Sequence, residues 1–477
     1  MKKSITKNYI YNLFYQIALI VLPIITTPYL SRVLGAENIG IHSYTISIVT
    51  YFILFGSLGL SIYGQREIAF IQDDLKKRSK TFYEILIIRT CSFIISMSLF
   101  YIIYGNAADY AIYYRILLLE MLAYCVDISW FYQGIEYFKK IVVKNIFIKI
   151  LSVISIFVFV KGPDDLYKYF IIYVLTNLSA SSALWIGLRK YVTKVNIRQL
   201  TPLKHLIPAL ALFIPQIAME VYTVLDKTMI GYITSNMSEV GFYEQSQKIV
   251  KLLLTVITSL GTVMMPRIAK CFADGKDDMI KEYMYKTFKF VYLLAFPIVL
   301  GIIAVSNKFV PIFLGDGYDR VKLLLKLLSP IVLFIGMSNV IGSQYLISTK
   351  RQKQFTISVT CGAFINLILN SILIRYYQSI GAVIATVIAE LSVTFVQIHF
   401  IHDKFKTSDI FKLCKNYLVS ALIMFIIVYP ISFFVESNYV SLFVQVILGA
   451  IVYFCLLLFV FKDELLIEIL KRFKIVK

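Results

Sequence analysis

The sequence predicts an all-α integral membrane protein of about fourteen transmembrane helices. Three observations predict it. Hydrophobic residues make up 59% of the chain and charged ones 16%, with a mean hydropathy of +0.76. A chain this apolar could not cover its own surface in water. Apolar stretches of roughly 20 residues, the length that crosses about 30 Å of hydrocarbon, recur from one end to the other. Lys and Arg crowd into every second segment between those stretches, as they do in cytoplasmic loops.

In order, the spans read as 9–31, 39–62, 82–104, 107–132, 141–160, 166–188, 206–230, 240–264, 287–305, 321–346, 355–374, 379–402, 416–434 and 440–461. The first is too long for the core of a cleaved signal peptide and no small-residue cleavage site follows it. With the N-terminus placed in the cytoplasm, the inside segments are 1–8, 63–81, 133–144, 189–205, 265–286, 347–354, 403–415 and 462–477. They hold Lys76, Lys77, Arg78 and Lys80, and again Lys350, Arg351 and Lys353. The opposite loops hold little beyond Arg32, Lys161, Lys308, Arg320 and Arg375. The bias is roughly six to one. Dropping one span would reverse every later loop, so the bias supports the count and puts both termini in the cytoplasm. The net charge of +20 is then a property of loops facing a membrane surface, and no nucleic-acid partner is expected.

Six cysteines, at 91, 125, 271, 361, 414 and 455, show no zinc spacing, so no disulfide and no metal is expected. There is no GxxxxGK phosphate loop, hence no built-in ATPase and no cofactor. The largest loop, near 265–286, is about 20 residues, too short to fold as a catalytic domain. The chain is therefore not expected to be an enzyme.

A short repeat divides the chain. Asn38-Ile39-Gly40-Ile41 opens the second span and Glu239-Val240-Gly241-Phe242 the eighth; Arg66-Glu67-Ile68-Ala69 and Pro266-Arg267-Ile268-Ala269 close them. The common offset predicts two six-helix bundles around a central cavity plus two C-terminal helices, with units 1–200, 201–405 and 406–477. Parallel repeats of this kind are a transporter plan. Pro23 and Pro28 in the first span, and Pro208 and Pro215 in the seventh, kink the matching helices.

Ionisable residues inside a bilayer face a bundle interior or a water-filled path. The cations here are Arg89, Arg115, Lys149, Lys248 and Lys251; the carboxylates are Glu120, Asp127, Glu220, Glu244 and Glu390. Glu244, Lys248 and Lys251 share one helical face at i, i+4, i+7. Two readings stand. The cations line a cavity that attracts an anionic head group, with the carboxylates as ion-coupling or structural groups. Alternatively, ion pairs between helices, such as Arg89 with Glu120, brace the bundle. Asp226 and Lys227 read as interfacial, Lys322 and Lys326 as snorkelling residues.

Several stretches resemble a known family. Tyr29-Leu-Ser-Arg32-Val-Leu-Gly35-Ala-Glu-Asn-Ile-Gly40, Ser57-Leu-Gly59-Leu and Gln65-Arg66-Glu67-Ile-Ala69 resemble the opening of the Wzx-type polysaccharide flippases. These belong to the multidrug/oligosaccharidyl-lipid/polysaccharide exporter superfamily. Trp130-Phe-Tyr-Gln133-Gly134-Ile-Glu136 resembles that family's aromatic-Gln-Gly-x-Glu stretch. The resemblance implies a flippase for undecaprenyl-diphosphate-linked oligosaccharide repeat units of O-antigen or capsule. It implies alternating access in a bacterial cytoplasmic membrane, with the bilayer and the lipid-linked oligosaccharide as partners. A polysaccharide polymerase, a chain-length regulator and an H⁺ or Na⁺ counter-ion are candidate further partners.

Alternatives remain within the same fold. A lipid II flippase would carry more arginine on its first two helices, where this chain has Arg32 and Arg66 at span ends. A cation-coupled multidrug antiporter would have twelve helices and an acidic cavity, against Lys248 and Lys251. A polymerase or ligase would need a large outer loop. A receptor or scaffold would leave the buried charges unexplained.

Overall fold

The structure, a computed structural model, describes residues 5–106, 109–431 and 439–472. Every regular element among the described residues is helical. Among the described residues eleven stretches are long and apolar enough to cross a membrane, and the chain is a multi-pass membrane protein. It divides into two compact units, Met1–Thr228 and Met229–Lys477.

The first unit opens with α1, Ile5–Ser57, which is two helices joined at Gly35 (φ 78, ψ 171). That left-handed φ suits glycine. One apolar stretch, Val21–Phe70, thus takes in the end of the first expected span and the whole of the second. The expected end at residue 62 moves to Ser57, because Leu58 (φ 45) and Gly59 (φ 72) turn the chain into α2, Leu60–Phe70. Gly59 also lies against the later helix α8, Leu206–Thr234. A Cβ there would sit 2.7 Å from the Ala209 carbonyl oxygen.

α3, Leu75–Tyr104, starts earlier than hydropathy suggested. Asp74 caps it, accepting from the Lys76 and Lys77 backbone N–H groups at 3.1 and 3.0 Å. The Lys77 bond, foremost, holds this carboxyl below its ordinary range. The expected span 107–132 is broken into α4, Ala111–Val126, and α5, Ser129–Gly134. α6, Phe138–Phe159, and α7, Leu166–Ala183, form a hairpin. A linker of short 3₁₀ turns at Leu188–Lys190, Ile197–Gln199 and Pro202–His205 leads to α8.

The family-like stretches of the sequence meet in one core of the first unit. A Cβ on Gly64 of α2 would lie 2.6 Å from the Trp130 ring, and one on Gly134 of α5 would lie 2.8 Å from the Gln65 carbonyl and from Ile68. Around this contact Leu60, Ile68, Phe82, Trp130, Phe131 and Tyr132 are buried together. The pattern of the stretch therefore builds a helix crossing whose closeness depends on glycine.

The second unit contains α9, Met237–Ala273; α10, Asp277–Phe313; α11, Asp319–Leu328; and α12, Ile331–Ser338. A π-helical stretch, Asn339–Ile347, follows, then α13, Gln352–Tyr377, and α14, Ser379–Ile401. α15, Thr407–Lys412, α16, Lys415–Val428, α17, Tyr439–Cys455, and α18, Glu464–Arg472, complete it. The loop expected near 265–286 is not a loop. α9 and α10 run on to leave only residues 274–276 between them. Hydropathy marks where a helix leaves the apolar layer, whereas its backbone bonds carry it further. The expected span 321–346 is likewise broken, near Pro330, into three pieces.

The short repeat has a structural counterpart. Asn38, just past the break in α1, donates from Nδ2 to the Pro163 carbonyl at 2.9 Å, in the turn between α6 and α7. Glu239, in the first turn of α9, accepts from the Ser379 N–H at 3.2 Å, at the turn between α13 and α14. In each unit a polar side chain ties an early helix to the tip of a later hairpin.

Gly59→Ala is expected to lower the unfolding temperature of the purified protein in detergent more than Gly35→Ala. A Cβ is strained by the positive φ at both positions, by roughly 1–3 kcal/mol. Only Gly59 also meets backbone, since nothing lies within 4 Å of a Cβ at Gly35. Equal shifts in a thermal melt would contradict this account.

Candidate functional site

In the first unit the predicted charges separate into helix-end partners and one buried carboxyl. α4 stops because the chain turns extended at Asp127 (φ −69, ψ 118). A helix that stops leaves its last carbonyls without intrahelical donors. Arg89 of α3, only 1% exposed, supplies them. Its Nε donates to the Tyr124 and Cys125 carbonyls at 3.1 and 3.2 Å, and its Nη2 to Tyr124 at 2.5 Å. Its Nη1 reaches Ser61 Oγ at 2.9 Å. Asp127 starts the next helix by accepting from the Ser129 N–H at 3.0 Å and its hydroxyl at 2.7 Å.

The Arg89–Glu120 ion pair, one of the two readings of the sequence, is not formed. Glu120, 3% exposed, instead accepts from Asn177 Nδ2 of α7 at both oxygens, 2.9 and 3.0 Å. Arg115 does not join Arg89 either. It donates to the Gly105 carbonyl at 2.8 Å and to Asn106 Oδ1 at 3.0 Å, which places it at the far end of α3. Gly105 lies roughly 24 Å along the helix from Arg89 at 1.5 Å per residue. Lys149 is half-buried on α6 and Glu220 is exposed on α8. The charges of Glu120, Asp127, Glu220 and Arg89 are near enough to act on the Tyr124 hydroxyl.

In the second unit α9 carries a polar face within an apolar stretch. Gln245, Ser246 and Gln247 are buried, Glu244 and Lys248 are half-buried, and Lys251 is exposed. Lys251 Nζ donates to Gln247 Oε1 at 2.9 Å, and Gln247 Nε2 to the Tyr243 hydroxyl at 3.1 Å. Tyr243 in turn meets Thr386 Oγ1 of α14 at 3.1 Å. Glu390, one turn beyond Thr386, is buried. A hydrogen-bonded file thus runs from the Lys251 ammonium across to α14. It orients that cation, and Glu390 lies on the helix where the file ends.

Three interior groups escaped the sequence reading. Glu84, 0% exposed, accepts from the Thr201 N–H at 2.8 Å and meets His205 Nε2 at 2.9 Å and Lys204 Nζ at 2.8 Å. His205 Nδ1 is 2.7 Å from the Tyr63 hydroxyl. With Arg78 donating to the Tyr191 carbonyl at 2.8 Å, this straps the 188–205 linker onto the start of α3. Glu84 lies only two residues into its expected span, 82–104, where a carboxylate carries no depth signal. Lys308, expected in an outer loop, is fully buried in α10 and donates to the Ile431 carbonyl at 3.0 Å. Its signal was faint because a lone lysine near a span end reads as a loop residue. Among the described residues no cluster of His, Cys, Asp and Glu could hold a metal ion.

The family model described as "Polysaccharide biosynthesis protein" matches residues 5–272, more than half of the 477. The chain belongs to this polysaccharide biosynthesis family. A second model, MatE, matches residues 211–372. A protein named "Putative O-antigen transporter" from Escherichia coli (strain K12) is 26% identical over 410 residues, covering 84% of this chain and 98% of that protein. Among solved structures, lipid II flippase MurJ in an inward closed conformation aligns with a TM-score of 0.76 at 17% identity. It covers 94% of this chain and 99% of that one. An inward-facing multidrug resistance MATE family transporter of the MOP superfamily aligns with a TM-score of 0.61 at 13% identity, covering 83% and 96%. At such identities the two structures show the fold that the family shares with that superfamily.

Two variants follow from this geometry. Arg89→Ala strips donors from two carbonyls in a water-poor interior and is expected to cost on the order of 3 kcal/mol. The measurement is the yield of monodisperse protein from solubilised membranes, and wild-type yield would contradict the capping role. Glu84→Ala is expected to free the linker. Limited trypsin digestion of the purified protein should then cut at Arg189, Lys190, Lys194 or Arg198 faster than in the wild type. An unchanged digestion rate would contradict the strap.

Proposed function

We propose that the protein is a flippase that moves undecaprenyl-diphosphate-linked oligosaccharide repeat units across a bacterial cytoplasmic membrane for surface polysaccharide synthesis. The name of its relative, aligned over 84% of this chain and 98% of that protein, supports the polysaccharide side of this reading. The observation that carries the mechanism is the polar face of α9. Lys248 and Lys251 lie 11 and 14 residues beyond Met237, roughly 17–21 Å along a 37-residue helix. A cation at such depth is costly unless it serves an anion or a water-filled path. Two ammonium groups within one helical turn suit a diphosphate, with the lipid tail left in the bilayer.

Alternating access is the working cycle in this reading. With both termini in the cytoplasm, outward movement of an anion runs with a negative-inside potential, by about 2.3 kcal/mol per charge per 100 mV. Returning the empty carrier is the step to which an H⁺ or Na⁺ counter-ion would couple. The buried Glu120 and Glu390 are better placed for this than the exposed Glu220. Arg89 and Arg115 act in this account as helix-end partners rather than as substrate contacts. A polymerase and a chain-length regulator would take the product at the outer leaflet.

Lys251→Ala and Lys248→Ala are each expected to cut O-antigen or capsule output at least tenfold in a flippase-null strain, with the protein still in the membrane. Lys251→Arg should retain most output because it keeps the charge. Normal polymer from both alanine variants would overturn the assignment. Rescue of a strain depleted of its lipid II flippase, with no rescue of the polysaccharide strain, would transfer the protein to peptidoglycan synthesis.

A further inference from the structure

Glu120 stands apart from the other acidic groups of the first unit. It sits in the middle of α4, nine residues past Ala111, or roughly 14 Å along the helix. Both of its oxygens face Asn177 Nδ2, and the Tyr173 hydroxyl is hydrogen-bonded to it as well. Tyr173 also bonds Asn177, so acid, amide and phenol close a triangle between α4 and α7. Among the described residues Glu120 makes no ion pair. The Arg89 cation is already engaged by the Tyr124 and Cys125 carbonyls and Ser61.

The other titratable or charged groups around the triangle come from several elements. Tyr169 and Tyr173 lie on α7. His42 of α1 has its ring 4.6 Å from Tyr169 and 5.2 Å from Tyr173. Tyr124 of α4 acts on Tyr173 as well, and the charges of Arg89 of α3, Asp127 just past α4 and Glu220 of α8 reach that Tyr124. The one cation of this set, Arg89, is held by carbonyls and Ser61.

An ionised carboxylate is acceptor-only and wants several donors or a cation when buried. A protonated one has a donor and an acceptor, which is the complement of a carboxamide. The Tyr173 hydroxyl can donate or accept, so one oxygen of the neutral acid can accept from Asn177 Nδ2 while the other donates to the phenol. Burial among neutral hydrogen-bonding partners with no cation favours the neutral form of a carboxyl.

We propose that Glu120 is a proton-binding site: it holds a proton while α4 and α7 are packed through Asn177 and Tyr173, and releases it when they part and water enters. What that proton would drive rests on the flippase reading; the site itself does not.

The test is infrared difference spectroscopy on the purified full-length protein in lipid nanodiscs at neutral pH. The wild-type spectrum minus that of Glu120→Gln is expected to show the carbonyl stretch of one protonated carboxyl. A difference spectrum showing carboxylate bands instead would overturn the proposal. Should Glu120→Gln fail to fold, Asn177→Ala serves: it removes the amide partner, and the same band is expected to shift to higher frequency. An unmoved band would overturn the acid–amide pair. A protein that shows the band yet moves no lipid-linked sugar would refute the flippase reading and leave the proton site standing.

Discussion

A helix inside hydrocarbon can satisfy its own backbone everywhere except at its ends. This chain breaks helices within or beside the membrane, so it must find donors for the exposed carbonyls. It finds them in basic side chains. Arg89 takes the end of α4 and Arg115 the end of α3. Lys140 takes the Leu184 carbonyl at 2.8 Å beyond α7, where Lys144 also binds the Ala183 carbonyl. Lys308 takes Ile431 beyond α16. A helix C-terminus carries partial negative charge, so cations suit these places twice over.

That constraint divides the interior charges into two kinds. Cations that meet carbonyls are part of the frame and let helices stop where a spanning helix otherwise could not. Lys251 differs, because it donates to a side-chain amide, Gln247, that continues through Tyr243 to Thr386. An amide side chain can reorient, whereas the carbonyls at a helix end are fixed by the backbone. Partners likewise separate Glu84, surrounded by donors and cations, from Glu120, surrounded by neutral groups.

Much of the architecture was legible in the residues. Helical class and membrane insertion were carried by hydropathy and charge bias. Helix breaks were harder to read. Gly35 and Gly59 announce turns only if one knows that φ is positive there. The α4–α5 break contains neither glycine nor proline, since residues 126–129 are Val-Asp-Ile-Ser. It exists because Asp127 caps one helix while Arg89, 38 residues earlier in the chain, ends the other. No local pattern contains that pairing.

By itself the sequence determined that the chain lives in a membrane, that it is helical, and which residues are too polar to lie there without a reason. Those properties are sums over local composition, and transfer from water to hydrocarbon is nearly additive along a chain. Only the tertiary structure decided what each charged residue does. A buried charge is defined by the partners within about 3–4 Å of it. Those partners come from other helices: Tyr124 for Arg89, Asn177 for Glu120, Thr201 and His205 for Glu84.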